Sequence, residues 1–201
     1  IAYDGSALVF YQNNGSGAFS RVVPNVTLPL DNADNYVVAD FDNDGDDDLF
    51  REASTTCLRN NGSGFFTSIT NPLTAAGADL VTGSLEVFDY DNDGVQDFIA
   101  YDGSALVFYQ NNGSGAFTRV VPNVTLPLDN ADNYLIADFD NDGDGDIFRE
   151  ASTTCFRNNG NGTFTSITNP LTTAGADLGI GSMEVFDFDA DGDDDFIAYD
   201  G

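Results

Sequence analysis

The sequence predicts an all-β chain of four antiparallel, four-stranded blades of about 49 residues each. Two observations point there: an acidic nine-residue motif returns at a fixed interval, and short apolar segments of strand length alternate with Gly-, Asn- and Asp-rich turns. A third is an absence, since no segment carries a capped, amphipathic helical stripe.

The motif reads DFDNDGDDD at 40–48, DYDNDGVQD at 89–97, DFDNDGDGD at 138–146 and DFDADGDDD at 187–195, so its starts lie 49 residues apart. A longer period overlies this one. Residues 1–98 align without a gap to 99–196 with 16 differences, so two blade types alternate as A-B-A-B. The organisation is a first A-B pair (1–98), a second (99–196) and the start of a further repeat (197–201). "IAYDG" stands at 1–5, 99–103 and 197–201, so both ends carry the same strand phase. The expectation is a β-propeller-like stack belonging to a longer tandem array or an even-numbered ring, because an odd ring sets two like blades side by side.

Within a blade, "NYVVADF" leads into the acidic loop and "DLFREA" leads out of it; "TTCLRNN" and "GFFTSIT" follow. These segments of 4–7 residues are rich in Val, Phe, Tyr and Thr, the residues that fill a pleated, half-buried surface. "NNGSG" and "NNGNG" supply the Asn-Gly pairs that accept the positive φ of tight hairpins.

Of the 201 residues, 34 are Asp or Glu and 6 are Lys or Arg, a formal charge of −28. Nucleic acid and anionic membrane surfaces are excluded as direct partners, for neither finds a basic patch. Disorder is excluded by 17 Phe and 8 Tyr, and no apolar run is long enough to span a bilayer. His is absent, which removes the commonest general base. The two cysteines, Cys57 and Cys155, occupy equivalent repeat positions, form no metal motif, and are expected as small apolar strand residues.

Six carboxylates in nine residues, as in 40–48, repel one another unless they splay in water or enclose a cation. The fixed spacing favours the cation. A tightly turning backbone points positions 1, 3 and 5 at one centre, Gly at position 6 permits the bend, position 7 offers its carbonyl, and position 9 closes the set. Candidate ligands are Asp40, Asp42, Asp44, Asp46 and Asp48; Asp89, Asp91, Asp93, Val95 and Asp97; Asp138, Asp140, Asp142, Asp144 and Asp146; and Asp187, Asp189, Asp191, Asp193 and Asp195, with Asp46, Val95, Asp144 and Asp193 acting through carbonyls. All-oxygen donors in a flexible ring suit Ca²⁺, about four ions in all; Mg²⁺ demands stricter octahedral geometry. An EF-hand is excluded: it needs Glu at position 12 and flanking helices, whereas position 12 here is Arg51, Ala100, Arg149 or Ala198. The apolar second position (Phe41, Tyr90, Phe139, Phe188) is expected to pin each loop to the core.

"DFDNDGDDDLF" and "DYDNDGVQDFIA", followed by "LVFYQNNGSGAF", resemble FG-GAP/VCBS repeats such as the blades of integrin α-subunit propellers. The Phe-Gly and Gly-Ala-Pro motifs of the integrin version are missing, so the bacterial-type repeat is the nearer likeness. The resemblance implies calcium in each loop and an extracellular or cell-surface setting. The expected function is a non-enzymatic, calcium-stabilised structural or adhesive module, a segment of a filament or long surface protein whose partners are neighbouring copies or further repeats.

The alternative is a glycan-binding propeller, with Tyr3, Tyr11, Tyr101 and Tyr109 as aromatic platforms; cell-surface proteins are a further partner class. An enzyme is disfavoured because every dense carboxylate group is already explained, and the recurring Glu52, Glu86, Glu150 and Glu184 read as exposed strand residues. Six N-x-Ser/Thr sequons begin at Asn14, Asn25, Asn61, Asn112, Asn123 and Asn161. Hairpin chemistry explains all but Asn25 and Asn123, which are candidate glycosylation sites.

Overall fold

The computed structural model describes residues 1–3, 8–28, 36–51, 54–80, 85–127, 134–176 and 183–198, with Ala2, Tyr3 and Leu8 as backbone. The strands are β1 (Ala2–Tyr3), β2 (Leu8–Asn13) and β3 (Phe19–Val22) in a first sheet; β4 (Tyr36–Ala39), β5 (Asp48–Arg51), β6 (Thr56–Asn60) and β7 (Phe66–Thr70) in a second. The third holds β8 (Glu86–Phe88), β9 (Asp97–Tyr101), β10 (Leu106–Asn111) and β11 (Phe117–Val120). The fourth holds β12 (Tyr134–Ala137), β13 (Asp146–Arg149), β14 (Thr154–Asn158) and β15 (Phe164–Thr168), and a last sheet β16 (Glu184–Phe186) and β17 (Asp195–Ile197). Every pairing is antiparallel between consecutive strands.

The second, third and fourth sheets are complete. The first sheet has the second, third and fourth strand positions of the same pattern, and the last sheet has the first and second. The second position is thus present in both end sheets. Among the described residues these two sheets are not hydrogen-bonded to each other. The sheets are offset from the sequence period, whose 98/99 boundary falls inside β9. The first strands of successive complete sheets neighbour one another, β4 against β8 and β8 against β12, and β12 in turn neighbours β16; propeller blades place their inner strands in this way.

The hairpin turns follow from their asparagines. Asn14 Oδ1 accepts from the Ser16 N–H at 2.9 Å and from its hydroxyl at 2.8 Å, while Gly15 and Gly17 take φ of 74° and 83°. Two short helices were not expected from the sequence: α1 (Pro72–Ala75) and α2 (Pro170–Ala174). Asn71 and Asn169 cap them by accepting from Leu73 N and Leu171 N, each at 3.0 Å, and Pro sits in the first turn. The "NPL" triplet is the local signal; one turn is too short to show an apolar stripe.

Sheets pack face to face, and each joint between neighbours has its own core. Between the second and third sheets lie Phe41, Phe50, Cys57, Leu73, Phe98, Val107 and Tyr109. Between the third and fourth lie Phe88, Tyr90, Phe108, Tyr134, Phe156 and Phe164. A smaller group of Ala137, Phe148, Cys155 and Met183 joins the fourth to the last, and Leu28, Leu49 and Phe66 join the first to the second. Phe50, Phe98, Phe108 and Phe148 are wholly buried, each contributing about 1.5–3 kcal/mol by leaving water. Both cysteines are free and buried, in different joints, as expected of small apolar residues. Burial pushes their thiols up, to about 12 for Cys57 and about 11 for Cys155.

Candidate metal centres

Each acidic loop joins the first strand of a sheet to the second: β4 to β5, β8 to β9, β12 to β13 and β16 to β17. Two backbone features make the turn. Gly at position 6 has φ between 86° and 95° in all four copies. Position 4 is also left-handed, with φ of 56° at Asn43, 58° at Asn92, 57° at Asn141 and 64° at Ala190. Asn tolerates that conformation better than other side chains, which explains why three of four copies have it. The sequence pattern names the glycine but passes over position 4.

The turn directs its amides at the first aspartate. Asp40 Oδ1 and Oδ2 accept from Asp44 N at 3.2 Å and Gly45 N at 2.9 Å, and Asp89, Asp138 and Asp187 repeat this. The ninth position closes the base. Asp97 accepts from Tyr90 N at 3.2 Å and Asn111 N at 2.6 Å, and Asp48 and Asp146 do the same with Phe41 and Asn60, and with Phe139 and Asn158. These aspartates are fully buried.

Positions 1, 3 and 9 converge in all four loops. One carboxylate oxygen from each of Asp40, Asp42 and Asp48 lies within 4.8 Å of the others, and so do those of Asp89, Asp91 and Asp97, of Asp138, Asp140 and Asp146, and of Asp187, Asp189 and Asp195. Position 5 stands outside this trio. Asp44, Asp93, Asp142 and Asp191 each accept from the N–H of position 7, at 2.9–3.1 Å. At position 7, the Asp46 and Asp144 side chains turn instead onto hairpin glycines Gly62 and Gly160.

Burial and like charge make these carboxylates costly to keep ionised. Burial is the largest cause raising Asp48 to about 6 and Asp97 and Asp146 to about 7, and the hydrogen bonds they accept offset it only in part. Asp42, Asp91 and Asp140 are also raised, by burial and then by the position-5 carboxylate. Oδ1 of Asp42 and of Asp91 is buried without a hydrogen-bond partner. Arg59 approaches Asp42 at 3.6 Å, Arg157 approaches Asp140 at 3.9 Å, and Gln110 Nε2 donates to Asp91 at 2.6 Å, each from the rim of the loop. Oxygens within 4.8 Å of one another match a Ca²⁺ ion with bonds of about 2.3–2.6 Å, so the residues present fit that ion.

A model of the FG-GAP-like repeat matches residues 89–149 and 138–198, two adjacent copies that together cover more than half of the sequence. The chain belongs to the FG-GAP-like repeat family. No curated protein sequence matches it. Among solved structures, the FG-GAP-like chain is similar to a lectin of Agrocybe aegerita that specifically recognises non-reducing terminal N-acetylglucosamine, with a TM-score of 0.63 and 19% identity. The match covers 94% of this chain and 54% of the lectin, so the FG-GAP-like chain spans about half that protein's length; the likeness is one of fold, β-propeller-like.

The other singled-out residues divide. Tyr109 is wholly buried and Tyr101 half-buried against the aromatic joint, so neither is an open platform; Tyr11 is exposed, and the Tyr3 side chain lies outside the described residues. Glu150 lies in a turn rather than a strand, accepting from Met183 N at 3.0 Å; Glu86 is half-buried, Glu184 exposed, and Glu52 outside the described residues. Asn25 and Asn123 have a structural task that the sequon reading overlooks. The Asn25 side chain donates to Phe66 O and accepts from Phe66 N, both at 2.8 Å, and Asn123 pairs identically with Phe164. A glycan on either nitrogen would break that pair.

Two further groups escaped the sequence reading. Asn111 Nδ2 donates across a joint to Phe41 O at 2.8 Å, and Asn158 Nδ2 to Tyr90 O at 3.1 Å. Gln96 accepts from Asp40 N and Asp194 from Asp138 N, both at 2.8 Å, so a position-8 side chain holds the preceding loop. Hairpin chemistry already accounted for the "NN" pairs, and position 8 varies, so neither signal stood out.

Proposed function

We propose that this FG-GAP-like chain is a non-enzymatic, calcium-stabilised repeat module acting outside the cell in a structural or adhesive role. The observation that carries the reading is the fourfold recurrence of one carboxylate trio at the same place in successive sheets. A catalytic centre is ordinarily singular, and four alike centres in a chain without His support scaffolding over turnover. FG-GAP repeats are typical of extracellular proteins, where millimolar calcium fills even weak sites, and no helix among the described residues is long and apolar enough to cross a membrane. Four ions would bring the formal charge from −28 to −20. The positions that would hold them are 1, 3 and 9 of each loop, with position 5 and the position-7 carbonyl completing the shell.

Titration calorimetry on calcium-stripped protein tests this directly. The expected result is about four Ca²⁺ per chain, with a melting midpoint that rises with calcium. An unchanged midpoint between EDTA and millimolar Ca²⁺ overturns it. Glycan binding is the second reading, favoured by the likeness to the Agrocybe aegerita lectin. Saturable binding on a glycan array, with and without calcium, would put it ahead.

A further inference from the structure

We infer that Asn111 and Asn158 are positioning residues that tie each metal loop to the next along the chain, so that calcium in one loop raises the affinity of its neighbour. The inference rests on the calcium reading and concerns only the joints between complete sheets. The loops starting at Asp40, Asp89, Asp138 and Asp187 are here the first to the fourth.

Each of these asparagines is bonded at both ends to a ligating segment. The Asn111 N–H donates to Asp97, the ninth position of the second loop, at 2.6 Å, and its Nδ2 donates to the Phe41 carbonyl of the first loop at 2.8 Å. Phe41 stands between the candidate ligands Asp40 and Asp42. Asn158 repeats the arrangement one joint on. Its N–H donates to Asp146 of the third loop at 2.7 Å and its Nδ2 to the Tyr90 carbonyl of the second at 3.1 Å, Tyr90 standing between Asp89 and Asp91. Both asparagines are 1% exposed, so a carbonyl that swings away leaves a buried donor with no water to take its place.

A second contact runs beside each bridge. Gln96, between Val95 and Asp97 in the second loop, accepts from the Asp40 N–H of the first at 2.8 Å. In the third loop position 8 is Gly145, and there the Asn92 side chain of the second loop bonds Asp144 of the third instead. The following hairpin also covers each loop: an added Cβ on Gly115 would come to 3.0 Å from the Phe41 ring, and one on Gly162 to 3.1 Å from the Tyr90 ring. The carboxylates of an empty loop repel one another. Once positions 1, 3 and 9 are closed on an ion, the position-2 carbonyl is fixed between its two neighbours, and so is the asparagine N–H that donates to position 9. Closing either loop therefore sets the bridge in the geometry that the other needs, and linkage makes the effect reciprocal. The field between the ions works the other way, since two doubly charged cations repel.

Calcium calorimetry on the full chain measures the coupling, each unwanted loop being disabled at its position-3 aspartate. Asp42→Asn with Asp189→Asn leaves the second and third loops. Adding Asp140→Asn leaves the second alone, and adding Asp91→Asn instead leaves the third alone. The product of the two stepwise affinities in the two-loop protein, divided by the product of the single-loop affinities, is the coupling factor. It is expected to be about five or more, whereas independent loops give one and mutual repulsion gives less. The same set carrying Asn158→Ala is expected to give a factor of one or below; a merely structural Asn158 would lower the melting midpoint and leave the factor unchanged. A factor of one or below with Asn158 in place overturns the inference, and so does a factor as large after Asn158→Ala. If a single-loop protein fails to fold by circular dichroism, the intact four-loop chain decides. Its calcium-binding curve is expected to be steeper than that of the protein carrying Asn111→Ala and Asn158→Ala, and equal steepness overturns the inference. No calcium bound by any of these proteins defeats the calcium reading itself; ions bound without coupling defeat this inference alone.

Discussion

Asp97→Asn separates a metal ligand from a purely structural carboxylate. Asp97 is fully buried, accepts from Asn111 N and Tyr90 N, and stands within 4.8 Å of the Asp89 and Asp91 oxygens. Without an ion its carboxyl is lifted from 3.8 to about 7, so holding it ionised at pH 8 costs the folded state about 4 kcal/mol. Asn removes that cost, but it has one oxygen for two buried amides, and the amide left facing an NH₂ costs about 1–3 kcal/mol. In calcium-free buffer the substitution should therefore be neutral to stabilising, by up to about 3 kcal/mol. At a calcium concentration 100 times Kd, each filled site adds about 2.7 kcal/mol, which the Asn variant forfeits at this loop. The two conditions should differ by roughly that amount, in the direction of calcium favouring Asp. Urea denaturation of both proteins at pH 8, in EDTA and in calcium, measures the difference. If the substitution changes stability equally in the two buffers, Asp97 is no ligand and the reasoning fails.

The buried carboxylates also set a pH response. Because Asp48, Asp97 and Asp146 have folded values of about 6, 7 and 7 against 3.8 in the unfolded chain, the folded state holds more protons between those limits. Stability of the calcium-free protein should then fall as pH rises from about 4 to 7, and thermal melts across that range would show it. Ala190 holds a left-handed conformation that Asn occupies in the other three loops, so Ala190→Asn should stabilise by about 0.5–1 kcal/mol in urea melts. Gly162→Ala drives a Cβ to 3.1 Å from Tyr90 while Gly64→Ala meets nothing, and both pay for a positive φ. The first should therefore cost about 1–3 kcal/mol more than the second in the monomer, again by denaturant titration.

Local chemistry was legible in the sequence; contacts across joints were not. Strand and loop order followed from apolar segments of 4–7 residues and from Asn-Gly turns, because both act within a few residues. The convergence of Asp40, Asp42 and Asp48 is likewise local, built by one turn of nine residues. Asn111 was opaque because its partner, the Phe41 carbonyl, is 70 residues away, and nothing nearby distinguishes it from a turn residue. Tyr109 looked like a surface aromatic by composition, yet the neighbouring sheet buries it. Asp44 has ligand spacing, and in the fold its carboxylate also accepts from the Asp46 amide two residues on, a bond that spacing alone does not reveal. The blade phase was also hidden, since a period can be read from any starting residue while a sheet starts where a strand loses its partner.

The two buried thiols turn the molecule into its own stopwatch. Cys57 and Cys155 occupy equivalent places, but a complete four-stranded sheet covers the first and a two-stranded one covers the second. With both thiols pushed far above neutral pH, neither reacts with an alkylating reagent until its joint opens, so each labelling rate is the breathing rate of one interface. In a single chain Cys155 should be labelled sooner, and the ratio of the two rates measures what two further strands contribute to keeping a joint shut.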